Sequence, residues 1–160
     1  MQVFNLQGSQ WNQGSSGRFC VNVGVYFAQL EGTVKRFKRT TEHEKLQPYH
    51  CHFYLRLHDV VPSKREPWWP AQLTPGQDAW FEVGPEHELL ALGDSLCRVV
   101  ESYLLPWFAE RASVEALALG LAPTDIEQRA VALALLGRKE EARQHAASSR
   151  DAALKAWLED

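Results

Sequence analysis

Cysteine is scarce in this sequence: Cys20, Cys51 and Cys97 are the only three in 160 residues. They are odd in number, widely spaced and set in apolar segments, so they do not supply the pairs that a disulfide framework needs. Reduced, buried thiols in the cytoplasm are the expectation. No stretch approaches the ~20 apolar residues that span a bilayer, which excludes a transmembrane helix and gives no reason to expect a membrane partner. The opening segment MQVFNLQGSQWNQG has no basic region followed by an apolar run, so it does not read as a signal peptide. Charge of one sign is missing as well. Lys and Arg number 17 against 20 Asp and Glu, a net −3, too balanced to argue for nucleic acid. With 45% apolar and 23% charged residues the chain is not disordered either. A chain of this length buries roughly 70% of its unfolded surface, so its core needs neither disulfide nor metal.

Catalytic signatures are equally absent. There is no Gly-x-Ser-x-Gly elbow, no phosphate-cradling Gly-x-x-x-x-Gly-Lys and no dinucleotide fingerprint. No cysteine has neighbours that specify an activated thiolate. Glu86 and Glu88 stand beside an expected helix start, where they complement the macrodipole more simply than they serve acid–base chemistry. No catalytic residue, metal ligand set or cofactor is therefore assigned.

What is present is uneven. Sixteen of the seventeen aromatic residues precede position 109, and only Trp157 follows it. The last third is rich in Ala, Leu, Glu and Arg. Aromatic and β-branched residues favour strands, and the second group favours helices. The chain therefore reads as sheet first and helices second, an α+β protein. The expected organisation is an antiparallel sheet of about four strands packed on a helix, residues 1–110, followed by a helical extension packed on it, residues 111–160.

A first short strand is expected where Phe4 and Leu6 alternate with Val3, Asn5 and Gln7. After turn residues 13–17, a second runs over about 18–28. There Phe19, Val21, Val23, Val25 and Phe27 point one way and Cys20, Asn22, Gly24 and Tyr26 the other. Residues 35–45, rich in charge, read as a loop. A third strand is expected near 49–59, with Cys51, Phe53, Leu55 and Leu57 on its apolar side and His50, His52, Tyr54, Arg56 and His58 opposite. A Pro-rich loop carries Trp68-Trp69, and 78–83 reads as a fourth strand. A helix is expected from Pro85 until Pro106 breaks it. A short helix near 113–119 follows, then one opened by a Thr124–Glu127 capping box and ended at Gly137, then a last one from about 139 to 158.

Gln2-Val3-Phe4-Asn5-Leu6-Gln7, Ser9-Gln10-Trp11-Asn12 and Phe19-Cys20-Val21-Asn22-Val23-Gly24-Val25-Tyr26 occur in that order. Cys51-His52, Arg56, Trp68-Trp69 and Leu105-Pro106-Trp107-Phe108 follow them. As an ordered set, over about positions 2–110, these residues resemble the bacterial domain-of-unknown-function family 4304. The resemblance implies a small α+β fold without an established activity. It also implies a place near bacterial toxin systems, hence an immunity-like role. Members of that family usually carry a further helix and strand before the segment that opens this chain. The stretch Ala130–Ala142 resembles one tetratricopeptide-type hairpin, and a single unit is expected to serve packing, because solenoids need about three.

The candidate binding surface is the polar side of the sheet. If the apolar faces pack on the helix, the opposite side gathers Asn5, Gln7, Asn22, Tyr26, His52, Tyr54 and Arg56. Asn5, Gln7, Asn22, His52, Tyr54 and Arg56 are expected to be solvent-accessible, and Arg56 is expected to present its planar fork to a partner's carboxylate. A plainly solvated sheet face is the simpler alternative. Trp68 and Trp69 are candidates for an interaction anchor, although such a pair also suits the end of a core. His50 and His52 share a strand face, but Cys51 would point away from them, so the three do not close a metal site. The Lys35–Arg39 run with Phe37 is too narrow a basic surface for phosphate binding. Another protein is therefore the expected partner, and a toxin to be neutralised fits the resemblance. The competing reading is a small enzyme or small-molecule-binding module that uses the same face. A first strand with an unpaired edge also predicts a homodimer through it.

Overall fold

The computed structural model describes residues 1–10, 12–38, 50–84, 88–122 and 124–159, with side chains left undescribed at 35–38. The expected charged loop beyond Lys38, the helix start at Pro85 and residues Trp11 and Pro123 lie outside the described residues.

The architecture is α+β. Strands β1 (Gln2–Gly8) and β2 (Gly17–Val25) form an antiparallel hairpin with register from Gln2↔Val25 to Gly8↔Phe19. Two strands share the other edge of β2: β3 (Phe53–Arg56) against its second half and β4 (Phe81–Val83) against its start. Asn12 pins the hairpin connection. Its Oδ1 accepts from the Arg18 N–H at 2.7 Å and its Nδ2 donates to the Arg18 carbonyl at 3.0 Å, so the side chain imitates a strand partner. Gly14 turns the chain at φ +60°, a conformation that suits glycine.

The alternation in β2 works as expected on its apolar side. Val21, Val23 and Val25 are buried with Leu57, Phe81, Val99, Leu104 and Trp107. A buried side chain of this kind contributes roughly 1.5–3 kcal/mol. The helical layer over them is a rod running from Leu89 to Glu110. It consists of α3 (Leu89–Val99), a wide turn (Val100–Leu104) and α4 (Leu105–Glu110).

Pro106 does not break this rod, contrary to expectation. In the wide turn the Leu105 N–H bonds the Val100 carbonyl, five residues back. That places Pro106 in the first turn of α4, where no N–H is needed.

Other boundaries also differ from the expected ones. Strand β2 ends at Val25 rather than near 28, and Ala28–Lys38 is a helix, α1, so residues 35–38 belong to a helix and not to the expected charged loop. The third strand is only four residues long, because Leu57–Val60 turns into a single helical turn, α2, capped at its start by Asp59 accepting the Arg56 N–H at 3.2 Å. Helix α5 (Val114–Gly120) starts on Ser113, whose Oγ accepts from the Ala116 N–H at 3.0 Å. Helix α6 (Ile126–Leu135) starts one residue too late for the Thr124 capping box, so Asp125 occupies the cap position and makes no side-chain cap bond.

The expected last helix is two, α7 (Lys139–Ala146) and α8 (Ala152–Glu159). Asp151 divides them: its Oδ1 accepts from the Ala153 and Leu154 N–H groups at 2.9 and 3.0 Å and opens α8. Gly137, at φ +75°, turns α6 into α7. These helices and Leu30 of α1 form a second apolar cluster, and Phe27 and Phe53 pack against both clusters.

Candidate functional site

The polar side of the sheet is built by a size pattern. The middle strand β2 carries the small residues Cys20, Asn22 and Gly24 on this side, between longer side chains from its neighbours. Gln7 comes from β1, and Tyr54 and Arg56 come from β3. The long side chains lean over the short ones and bond to them. Asn22 Nδ2 donates to Gln7 Oε1 at 2.8 Å, and the Tyr54 hydroxyl donates to Asn22 Oδ1 at 3.3 Å. Asn22 is thereby only 2% exposed. Its expected accessibility is corrected: it is the satisfied centre of the network, and a partner would meet Gln7 and Tyr54 above it. Tyr54 is 41% exposed, Gln7 is exposed and Asn5 is half-buried.

At the end of β3, Arg56 is not an open fork. It is ion-paired with Asp78 and lies over the Trp80 ring, 5.8 Å from its centroid. Trp80 Nε1 donates to the other Asp78 oxygen at 3.2 Å. Asp78 and Trp80 escaped the sequence reading. Asp78 stands 22 residues from Arg56, and no local spacing announces the pair.

His52 also departs from expectation. Residues 50–52 precede β3 and are not extended strand, so strand alternation does not govern them. The His52 side chain is 2% exposed, enclosed by the rings of Tyr26 and Phe27 at 5.6 and 5.8 Å. Its Nδ1 accepts from the Phe27 N–H at 3.2 Å, and its Nε2 lies 3.9 Å from Glu31. Burial pushes its pKa down, with Glu31 working the other way. Tyr26 is half-buried just past the end of β2.

Cys51 likewise leaves the apolar side assigned to it. A Cβ placed on Gly24 would stand 2.6 Å from the Cys51 sulfur, so this thiol covers Gly24 on the polar side. Burial raises its pKa to about 11, which keeps it protonated and unreactive.

Trp68 and Trp69 are not part of this surface. Trp69 is 3% exposed within the apolar cluster on the opposite side of the sheet, and Trp68 packs against that cluster. Trp68 stacks on Tyr103 at 6.2 Å, with Arg98 4.5 Å from its centroid on the ring face.

An open cleft of about 580 Å³ adjoins the polar face. His52, Tyr54, Leu55, Trp107, Arg111 and Leu119 are among the residues that line it. Arg111 is held 4.7 Å from the Trp107 centroid and donates to the Trp107 carbonyl at 3.2 Å. Leu119 is 71% exposed. Among the described residues no group of three or more His, Cys, Asp or Glu could hold a metal ion. No described helix is long and apolar enough to cross a membrane.

Compared with known proteins, residues 1–110 match the model of the family described as domain of unknown function DUF4304. The helical segment after 110 lies outside the match, and its tetratricopeptide likeness gains nothing from it. No curated protein and no solved structure matches the chain.

Proposed function

We propose that this chain, which belongs to the DUF4304 family, is a non-enzymatic protein-binding module that receives its partner on the polar side of the sheet. The observation that carries the reading is the arrangement around Asn22: exposed Tyr54 and Gln7 are fixed in place by hydrogen bonds to a buried amide. Side chains ordered before the partner arrives lose little entropy when it binds, and tyrosine supplies contact area at low cost. Arg56 and Trp80, ordered by Asp78, extend the surface, and the cleft beside β3 offers Leu119 as an apolar contact. The toxin-system neighbourhood implied by the resemblance makes the partner a toxin and the role immunity-like, in a bacterial cytoplasm.

A small-molecule reading has one observation in its favour. The cleft volume of about 580 Å³ lies within the usual range for ligand sites. Two of its polar groups, however, are committed internally: His52 Nδ1 to the Phe27 N–H, and Arg111 to Trp107 and Glu110.

The test is affinity capture of the tagged chain expressed in its native cell, followed by reconstitution of the complex from purified components. A Tyr54→Ala variant with unchanged melting temperature is expected to lose about tenfold or more in affinity. A complex indifferent to Tyr54, Gln7 and Arg56 substitutions, or a metabolite that stabilises the protein through the cleft, would displace the proposal.

A further inference from the structure

The outer edge of β1 turns a row of backbone groups away from β2, as the parity of the hairpin ladder shows. The Tyr26 N–H bonds the Met1 carbonyl and the Ser9 N–H bonds the Arg18 carbonyl, each at 2.8 Å. With the register of the hairpin, the odd-numbered residues of β1 turn their backbone groups towards β2. The even-numbered ones, Gln2, Phe4, Leu6 and Gly8, therefore turn theirs outward. Among the described residues β1 pairs with β2 alone.

Protected edges carry lysine, proline, a bulge or very short length. This one carries none of these: it is seven residues long, QVFNLQG, and its register is continuous. Its Phe4 and Leu6 are 50% and 57% exposed on the apolar side of the sheet.

We propose that two copies join β1 to β1 in antiparallel fashion about a twofold axis at Asn5. Hydrogen-bonded pairs must match even residues with even ones. Of the registers that do so, the one centred on Asn5 uses every outward group: Gln2 meets the partner copy's Gly8, and Phe4 meets its Leu6. Centring on Phe4 or Leu6 leaves one end unpaired. The same register sets each exposed Phe4 beside a Leu6, a cross-strand pair that contributes to sheet stability. No charged side chain on either strand opposes the contact, and the polar faces of the two copies become continuous. The contact uses the backbone edge of β1 with Phe4 and Leu6 on the apolar side, whereas partner recognition uses the Tyr54 and Gln7 side chains of the polar side. Leu6→Lys leaves both of those in place, so loss of the dimer and loss of partner binding are read separately.

Sedimentation velocity of the full chain at about 100 μM is expected to give twice the 18.2 kDa chain mass. Leu6→Lys is expected to return it to one chain mass. In a Cys97→Ser background, Asn5→Cys should cross-link nearly completely under mild oxidation. Its Cα atoms would face each other across a non-hydrogen-bonded pair about 4.5 Å apart, within disulfide range. Val3→Cys, displaced from the axis, should not cross-link. The Asn5→Cys result decides the matter even where Leu6→Lys fails to fold. A single chain mass throughout, or a dimer that survives Leu6→Lys without Asn5→Cys cross-linking, overturns the proposal.

Discussion

The Phe27 N–H donates to Nδ1 of His52 at 3.2 Å, and that bond fixes which imidazole nitrogen carries the proton. With Nδ1 accepting, the neutral ring holds its proton on Nε2, the atom nearest Glu31 at 3.9 Å. Protonating the ring puts a second N–H against that of Phe27. Burial opposes the charge, the N-terminal ammonium adds to that opposition, and Glu31 relieves part of it.

The pH dependence follows in sign. The folded-state pKa lies below the ordinary value of 6.5. The neutral ring's contribution is therefore fully present above about 6.5 and is lost as pH falls through the folded value. Urea midpoints of the native protein should drop from pH 7.5 towards pH 5, and those of His52→Gln should drop less, because its amide oxygen can accept from Phe27 without titrating. Parallel decline of the two proteins would assign the loss to other groups.

Asn12 contributes to the stability of the β1–β2 hairpin through its side chain. Its side chain both accepts from and donates to the backbone of Arg18. Replacing it with alanine removes two bonds from an exposed hairpin, and a loss of about 1 kcal/mol is expected in chemical denaturation. Asn12→Asp keeps the acceptor and loses the donor, so it should fall between the two. An Asp variant no better than Ala would show that the acceptor bond contributes nothing.

Gly24→Ala should be worse than either Asn12 variant. The added Cβ would lie 2.6 Å from Cys51 Sγ, 2.7 Å from Cys51 Cβ and 2.9 Å from the Phe53 carbonyl oxygen. A carbonyl held in the β2–β3 ladder cannot move without breaking register, and overpacking of this kind costs about 1–3 kcal/mol or more. Adding Cys51→Ala removes the sulfur only, so it should rescue the variant in part. Full rescue, measured as recovery of the melting temperature, would show that the backbone contact is easily relieved.

The features legible in the sequence are those with a local period. Strict alternation located β2 and the sides of Val21, Val23 and Asn22, because pleating depends only on neighbouring residues. It could not tell that Asn22 is covered, since burial there comes from Gln7 and Tyr54 on other strands. One cue was present: small residues on a central strand flanked by long ones. Helix α1 hid because its apolar anchors, Leu30 and Val34, are four apart inside a charged segment. The strand reading of 49–59 failed where Asp59 caps α2 and where His52 is held by Phe27 from outside the strand. Pro106 misled because a wide turn absorbs it, a device that no residue type announces.

The last prediction separates structure from recognition at Arg56. The guanidinium is ion-paired with Asp78, with side chains 30% and 49% exposed. Such a pair is screened by water and salt, so a double-mutant cycle of Arg56→Ala and Asp78→Ala should give a coupling of only about 0.5–1 kcal/mol, shrinking as salt is added. The pair nevertheless orders Arg56 against Trp80 before a partner arrives. Arg56→Ala should therefore cost more in partner affinity than in folding stability, about 2 kcal/mol against about 1. Asp78→Ala should weaken binding as well, because the arginine it leaves behind is charged but no longer held in place. The two measurements are thermal denaturation of the free protein and titration of the reconstituted complex. A sharp fall in melting temperature with binding intact would make Arg56 a structural residue and move the recognition surface elsewhere.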